Sequence, residues 1–159
     1  MSTTETGIRL YFAQHGLAVD KSENPERPLS EEGIKQTEAI AARLCNAGIV
    51  VDHIFHSGKL RAAQTAEIFA SVLDTSSIDK IDYISANDDV EKIAHALSLN
   101  DALYVGHLPH LEKLVPYLIT GNSKPKIVKL QNSAVVCLEK DNNNFFVKWY
   151  LTVDLLTAS

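Results

Sequence analysis

The chain is expected to fold as a three-layer α/β/α sandwich built on a mostly parallel sheet with antiparallel strands at its C-terminal edge. Three features carry that expectation. Short apolar or β-branched runs alternate with helix-period stretches from Ile8 as far as Gly121. Beyond it come three strand-like runs, Ile127–Leu130, Ala134–Leu138 and Phe145–Thr152, the last two split by Asp141-Asn142-Asn143-Asn144, a hairpin signal. Finally, 159 residues that are 45% hydrophobic and 22% charged have the composition of one globular domain, expected over 1–159 with a disordered tail at 1–6.

Ile8–Ala13 (IRLYFA) has the length and composition of a buried first strand, stopped by Gln14-His15-Gly16. Leu17–Pro28, with KSENPERP inside it, has the polar, proline-containing composition of a mobile surface loop. A helix follows, with Ser30 as N-cap, Glu31 and Glu32 favouring the positive end of its dipole, and Ile34, Ala41, Leu44 and Cys45 near one face before Gly48. Ile49–Phe55 predicts a second strand, and the Ala-rich stretch after it a helix capped by Ser57. Ile78–Ile84 predicts a third strand. Asn87-Asp88-Asp89 would cap a helix carrying Val90, Ile93, Ala94 and Leu97, and Ala102–Val105 a fourth strand closed by Gly106-His107. Pro109 suits the first turn of the next helix, whose face is Leu111, Leu114, Val115 and Leu118.

Composition excludes several function classes. No stretch approaches the roughly 18 apolar residues of a membrane helix, and Met1–Thr6 has no basic-then-apolar signal pattern. A net charge of −5 gives no basic stripe for a nucleic acid. A domain of this size hides about 70% of its unfolded surface and needs neither disulfide nor structural metal. Cys45 and Cys137, far apart among apolar residues and without CxxC spacing, read as core fillers in a reducing compartment, so the cytoplasm is expected.

In open α/β sheets ligands bind beyond the carboxyl ends of the strands. Three such ends are chemically loaded here: Gln14-His15-Gly16, His56 to Arg61, and Gly106-His107-Leu108-Pro109-His110. His15 and His107 each follow a buried strand beside a glycine, which would let a ligand approach the backbone closely. His53, His56 and His95 lack that combination. Lys59 and Arg61 put two cations in a helix's first turn, where the dipole prefers negative charge, and an anion docked there would resolve the conflict. Two imidazoles and a guanidinium, with no Cys or Ser nucleophile in evidence, suit phosphoryl transfer through a phosphorylated histidine, since neutral imidazole (pKa about 6.5) is a competent nucleophile. Such a site needs no cofactor. The HxxH pairs His53/His56 and His107/His110 raise metal binding as an alternative, but spacing of three on a strand sends the first pair to opposite faces and no acidic or Cys ligand clusters nearby.

With these residues in hand, the chain resembles the histidine phosphatase superfamily, also called phosphoglycerate-mutase-like, and most closely its small bacterial phosphohistidine phosphatase branch. The resemblance spans nearly the whole chain and rests on five motifs in the family's order: His15-Gly16, PLSEEG at Pro28–Gly33, HSGKLRAAQTA at His56–Ala66, NDDV at Asn87–Val90 and GHLPHLEKL at Gly106–Leu114. It implies that His15 is the nucleophile, Arg61 the phosphate-binding arginine and His107 the second pocket histidine, with Gln14, Gly16 and Arg27 also at the phosphate. The implied substrate is a histidine-phosphorylated protein, either a phosphotransfer domain or a phosphocarrier, leaving the individual partner and the oligomeric state open.

Two positions depart from the family pattern. Gln14 stands where an arginine normally precedes the nucleophile, and a neutral amide donates hydrogen bonds without charge. Gly58 stands where Ser-Pro is usual. Gln14 keeps alive an inactive or weakly active phosphoryl-binding relative as an alternative. A small-molecule phosphomonoesterase is another, and would need Asp88 or Asp89 as general acid; both aspartates equally suit a helix's first turn. A phosphohistidine substrate relieves the need for that acid, because imidazole leaves more readily than an alkoxide. The short stretch between Asn87 and His107 has no room for a lid, which leaves the pocket open to a protein-borne phosphate.

Overall fold

The structure, a computed structural model, describes residues 7–97 and 100–157; the expected tail at 1–6 lies outside them. In chain order the elements are β1 (Ile8–Gln14), α1 (Glu31–Asn46), β2 (His53–His56), α2 (Leu60–Leu73), β3 (Ile78–Lys80), α3 (Val90–Ala96), β4 (Ala102–Gly106), α4 (His110–Thr120), β5 (Val135–Asp141), β6 (Asn144–Leu151) and α5 (Val153–Thr157). The six strands form one sheet in the order β3-β2-β4-β1-β5-β6. β1 to β4 run parallel; β5 is antiparallel to β1 and β6 to β5. This is the expected layered architecture with its antiparallel C-terminal edge.

Alternation along β1 builds two cores. Tyr11 and Ala13 face one side, with Ile54, Leu103 and Val105, and pack against Ile40 and Leu44 of α1, Ala66 and Phe69 of α2, and Leu156 of α5. Leu10 and Phe12 face the other, with Tyr104 and Val136, against Ile93 of α3 and Leu111, Leu114 and Val115 of α4. Each such fully buried large side chain contributes about 1.5–3 kcal/mol relative to exposure, so β1 and β4, buried on both faces, anchor the fold. The chain leaves β1 for α1 on one face and β4 for α4 on the other, so the two central strands diverge at their carboxyl ends into a crevice.

Several elements differ from the sequence expectation. β2 begins at His53 instead of Ile49, because its neighbour β4 supplies no ladder before Ala102, the partner of His53. β3 stops at Lys80 because it pairs only with the short β2, and Tyr83 then turns with φ of 70°. Ile127–Leu130 is no strand: the Leu130 N–H donates to Glu112 Oε2 (2.8 Å), and the Lys129 carbonyl accepts from the Tyr150 hydroxyl (2.6 Å), so side chains replace the ladder. Pro109 is the N-cap of α4, not its first-turn residue. The stripe on α1 comprises Gly33, Thr37, Ile40, Ala41 and Leu44, leaving Ile34 and Cys45 exposed. Cys45 is therefore no core filler, whereas Cys137 is fully buried.

Ser30 caps α1 as expected, accepting from the Gly33 N–H at 3.0 Å. Leu17–Pro28 is folded back on itself at its base: the Val19 N–H donates to the Pro28 carbonyl and Ser30 N–H to Leu17 O, both at 2.9 Å. A Cβ on Gly33 would sit 2.1 Å from the Leu17 carbonyl oxygen, so a glycine there is what lets α1 start against this loop.

Candidate active site

Strand register assembles the site. Gln14 pairs with Gly106 across β1 and β4, and His56 with Val105 across β2 and β4. The residues that follow, His15, His107 and Ser57, therefore emerge side by side at the carboxyl edge. The His15 N–H donates to Gly106 O at 3.1 Å, and the two imidazole centroids lie 5.0 Å apart.

His15 is held by its surroundings. Its Nδ1 lies 2.8 Å from the Gly16 carbonyl oxygen, which can only accept, so Nδ1 carries the proton of the neutral ring and Nε2 keeps a lone pair. Burial, reinforced by the charges of Arg61 and Arg27, lowers its pKa to about 4 despite the Gly16 hydrogen bond. His107 is lowered further, to about 3, by burial first and then by His15, Arg61 and Lys59. Both rings are neutral at pH 7, the form a nucleophilic imidazole requires. Ser57 Oγ lies 2.6 Å from His107 Nε2.

Around the imidazoles the charge is positive. Arg61 sits in the first turn of α2, which has no acidic residue there, and its buried Nε has no hydrogen-bond partner among the described residues. Burial and then the charge of Arg27 lower its pKa, and an arginine side chain stays charged at pH 7. An unpartnered guanidinium N–H beside two neutral imidazoles is what an anion oxygen would satisfy. Arg27, at φ of 51°, anchors its own Nε on the Val19 carbonyl at 3.1 Å and acts electrostatically on both His15 and Arg61. The folded-back 17–29 loop thus brings this arginine within electrostatic reach of His15 and Arg61.

Gln14 is half-buried, and its Oε1 is buried without a partner among the described residues, an acceptor where the resemblance implies a cation. Gly16 differs from expectation: a Cβ there would meet Thr37 Oγ1 at 2.7 Å, Leu29 at 3.1 Å and Ser133 Oγ at 3.2 Å, so the close approach is by the protein's own atoms. The same holds at Gly106, where Ile84 and Leu111 close in. Ser57 is not the N-cap of α2 as expected; Lys59 is, without a side-chain bond of its own, and Ser57 Oγ accepts from the Lys59 N–H at 3.3 Å while also meeting His107 Nε2.

Four supporting residues escape a reading of the sequence. Thr65 Oγ1 accepts from the Gly16 N–H (2.9 Å) and donates to the Arg61 carbonyl (2.7 Å), tying the His15-Gly16 backbone to the turn that carries Arg61. Asn132 Nδ2 donates to the His15 carbonyl (3.0 Å), Ser133 N–H to Gln14 O (3.1 Å), and Ser133 Oγ meets Thr37 Oγ1 at 2.7 Å. Because β5 runs antiparallel to β1, its first residues must lie at the end of β1; the polar Gln131-Asn132-Ser133 before it was the available signal.

The remaining candidates sit elsewhere. Asp88 Oδ2 accepts from Ser85 N–H and Asp89 Oδ1 from Glu91 N–H, so both carboxylates close the turn into α3, with Asp89 its N-cap. His53 pairs with Asp79 at 2.8 Å and stacks on Phe55, and His56 Nδ1 accepts from Gly58 N–H at 3.0 Å. His110 is fully buried; the Tyr83 backbone favours its protonation without a hydrogen bond of normal geometry, and burial lowers its pKa. Among the described residues no group of three or more His, Cys, Asp or Glu is placed to hold a metal ion.

Comparison with known proteins fits this geometry. The model of the Histidine phosphatase superfamily (branch 1) matches residues 10–83, which include His15, Arg27 and Arg61. An uncharacterized protein of Picosynechococcus is 42% identical over 67 residues, 40% of this chain and 41% of its own length. The phosphohistidine phosphatase SixA of Escherichia coli K12 is 25% identical over 146 residues, covering 87% of this chain and 91% of its own. A solved structure of the protein histidine phosphatase SixA complexed with tungstate superposes with a TM-score of 0.83 over 94% of this chain and 99% of that one, at 24% identity. A shared fold, an alignment running almost end to end and a family match over residues 10–83, which bear His15 and Arg61, agree, and the chain resembles the histidine phosphatase superfamily and, within it, the SixA-type enzymes.

Proposed function

We propose that the protein is a cytoplasmic, metal-independent phosphohistidine phosphatase, acting as one domain on a histidine-phosphorylated phosphotransfer domain or phosphocarrier. The observation that carries this reading is the His15 ring, neutral and fixed through Nδ1 beside His107, which leaves the Nε2 lone pair for attack. Nε2 attacks phosphorus in line, the P–N bond to the substrate histidine breaks, and the departing imidazole takes a proton from solvent. Water then attacks the phosphoryl group on His15, releasing inorganic phosphate and restoring the neutral ring. Arg61 and Arg27 supply the positive charge that grips the phosphoryl oxygens, and His107 hydrogen-bonds to them as charge develops.

P–N cleavage is favoured over ester hydrolysis because Asp88 and Asp89 are committed to the α3 turn, and an alkoxide leaving group needs a proton that imidazole can take from water. One observation favours a second reading, a phosphoryl binder without turnover: the unpartnered acceptor of Gln14 adds no positive charge beside the nucleophile. The test is phosphate release in EDTA-containing buffer from a histidine-phosphorylated phosphotransfer domain and, in parallel, from a serine phosphate ester. The phosphatase reading expects release from the first and far less from the second. Tight phosphate binding with no release from either substrate would support the binder.

A further inference from the structure

A groove of about 740 Å³ opens between the start of α4 and the segment 123–129. Each wall is continuous in sequence with one of the site histidines' supports. One begins at Pro109, two residues after His107; the other ends at Lys129, three residues before Asn132, whose amide holds the His15 carbonyl. Both walls are thus joined to the site by only two or three residues of chain.

The groove is basic in a protein whose net charge is −5. Lys113, Lys124, Lys126 and Lys129 line it, four of the chain's fifteen Lys and Arg side chains. All four are exposed, and none makes an ion pair among the described residues. The one carboxylate in the lining, Glu112, is engaged by the Leu130 N–H at 2.8 Å. Ile127, 46% exposed, adds an apolar contact on the same segment. The mechanism uses none of these lysines, and their clustering in one concave surface fits a charged partner of opposite sign.

We infer that this groove docks an acidic segment of the partner protein, carrying Asp and Glu beside its phosphohistidine, so that the lysines select the protein while the pocket handles the phosphoryl group. The inference rests on the proposed function and names the chemistry of its partner. Exposed Lys–carboxylate pairs are weak singly and screened by salt, so selection comes from their sum and is strongest at low ionic strength.

Two synthetic peptides bearing the same non-hydrolysable phosphohistidine analogue test it, one flanked by Asp and Glu and one by Gln and Ser, with binding read by fluorescence anisotropy at low salt. The parent should bind the acidic peptide about tenfold more tightly, and Lys124→Glu/Lys126→Glu should abolish that preference. Lys35→Glu/Lys140→Glu, equal in charge change but outside the groove, should retain it, and phosphoramidate hydrolysis should be the same in all three proteins. Equal affinity of the parent for both peptides, or a preference that survives in the groove variant, overturns the inference. So does tighter, lysine-dependent binding of a single-stranded oligonucleotide, which would make the groove a nucleic-acid site. A groove-dependent preference in a parent that hydrolyses neither phosphoramidate nor a phosphohistidine peptide upholds the docking surface while overturning the phosphatase.

Discussion

Ser57 Oγ lies 2.6 Å from Nε2 of His107, a hydrogen bond that ties the end of β2 to the end of β4 beneath the pocket. His107 is only 3% exposed, so without the serine its ring would be left with an unsatisfied nitrogen. Ser57→Ala should lower kcat about tenfold through loss of ring orientation and cost about 1 kcal/mol of stability, whereas Ser57→Thr should retain most of both. Steady-state kinetics and thermal unfolding of the two variants check this.

Gln14→Arg places a cation where an unpartnered amide oxygen now sits. The expected outcome is a rise in kcat on the order of 10², the size of one charge-assisted transition-state contact. A folded variant that binds phosphate more tightly without turning over faster would assign position 14 to ground-state binding instead.

The pKa values of His15, about 4, and His107, about 3, lie below that of a free imidazole, so the folded protein binds fewer protons than the unfolded chain below about pH 6.5. Their contribution to stability is complete above that pH and is lost as pH falls toward the folded-state values. A bound anion favours the protonated rings and opposes this loss. Sulfate, a dianion throughout, should therefore raise the unfolding temperature more at pH 5 than at pH 7, and the effect should vanish in Arg61→Ala; calorimetry with and without sulfate measures it.

Asp88 and Asp89 are expected to act on the fold alone. Asp88→Asn and Asp89→Asn should change hydrolysis of a phosphate ester and of phosphoramidate by the same factor, while Asp89→Ala, which removes the α3 cap, should cost about 1 kcal/mol. A selective loss of ester hydrolysis would restore the general-acid role.

Much of this was legible in the sequence because it is local. β1 and β4 are unbroken apolar runs ending in Gln14-His15-Gly16 and Gly106-His107, so strand ends and imidazoles come from the same few residues, and the rule that ligands bind at such ends joins them. What escaped depends on distant pairing. Ser57 looks like a helix cap until the β2–β4 register sets it against His107. Asn132 and Ser133 acquire meaning only once β5 is antiparallel to β1. Ile127–Leu130 has the β-branched composition of a strand, yet side chains satisfy its backbone in place of a neighbouring strand. Arg27 comes within electrostatic reach of His15 through the folded-back loop and a left-handed backbone that composition does not reveal.

The proposed chemistry starts at His15 Nε2, left for attack because Nδ1 is committed to the Gly16 carbonyl. The most direct measurement is a rapid quench in base of the protein mixed with a histidine-phosphorylated substrate, followed by ³¹P NMR and peptide mapping. An acid-labile, base-stable phosphoryl group on Nε2 of His15, absent from His15→Ala, is the predicted result. Release of phosphate with no phosphoryl group on His15, or with the label on Nδ1 or on another residue, would contradict it.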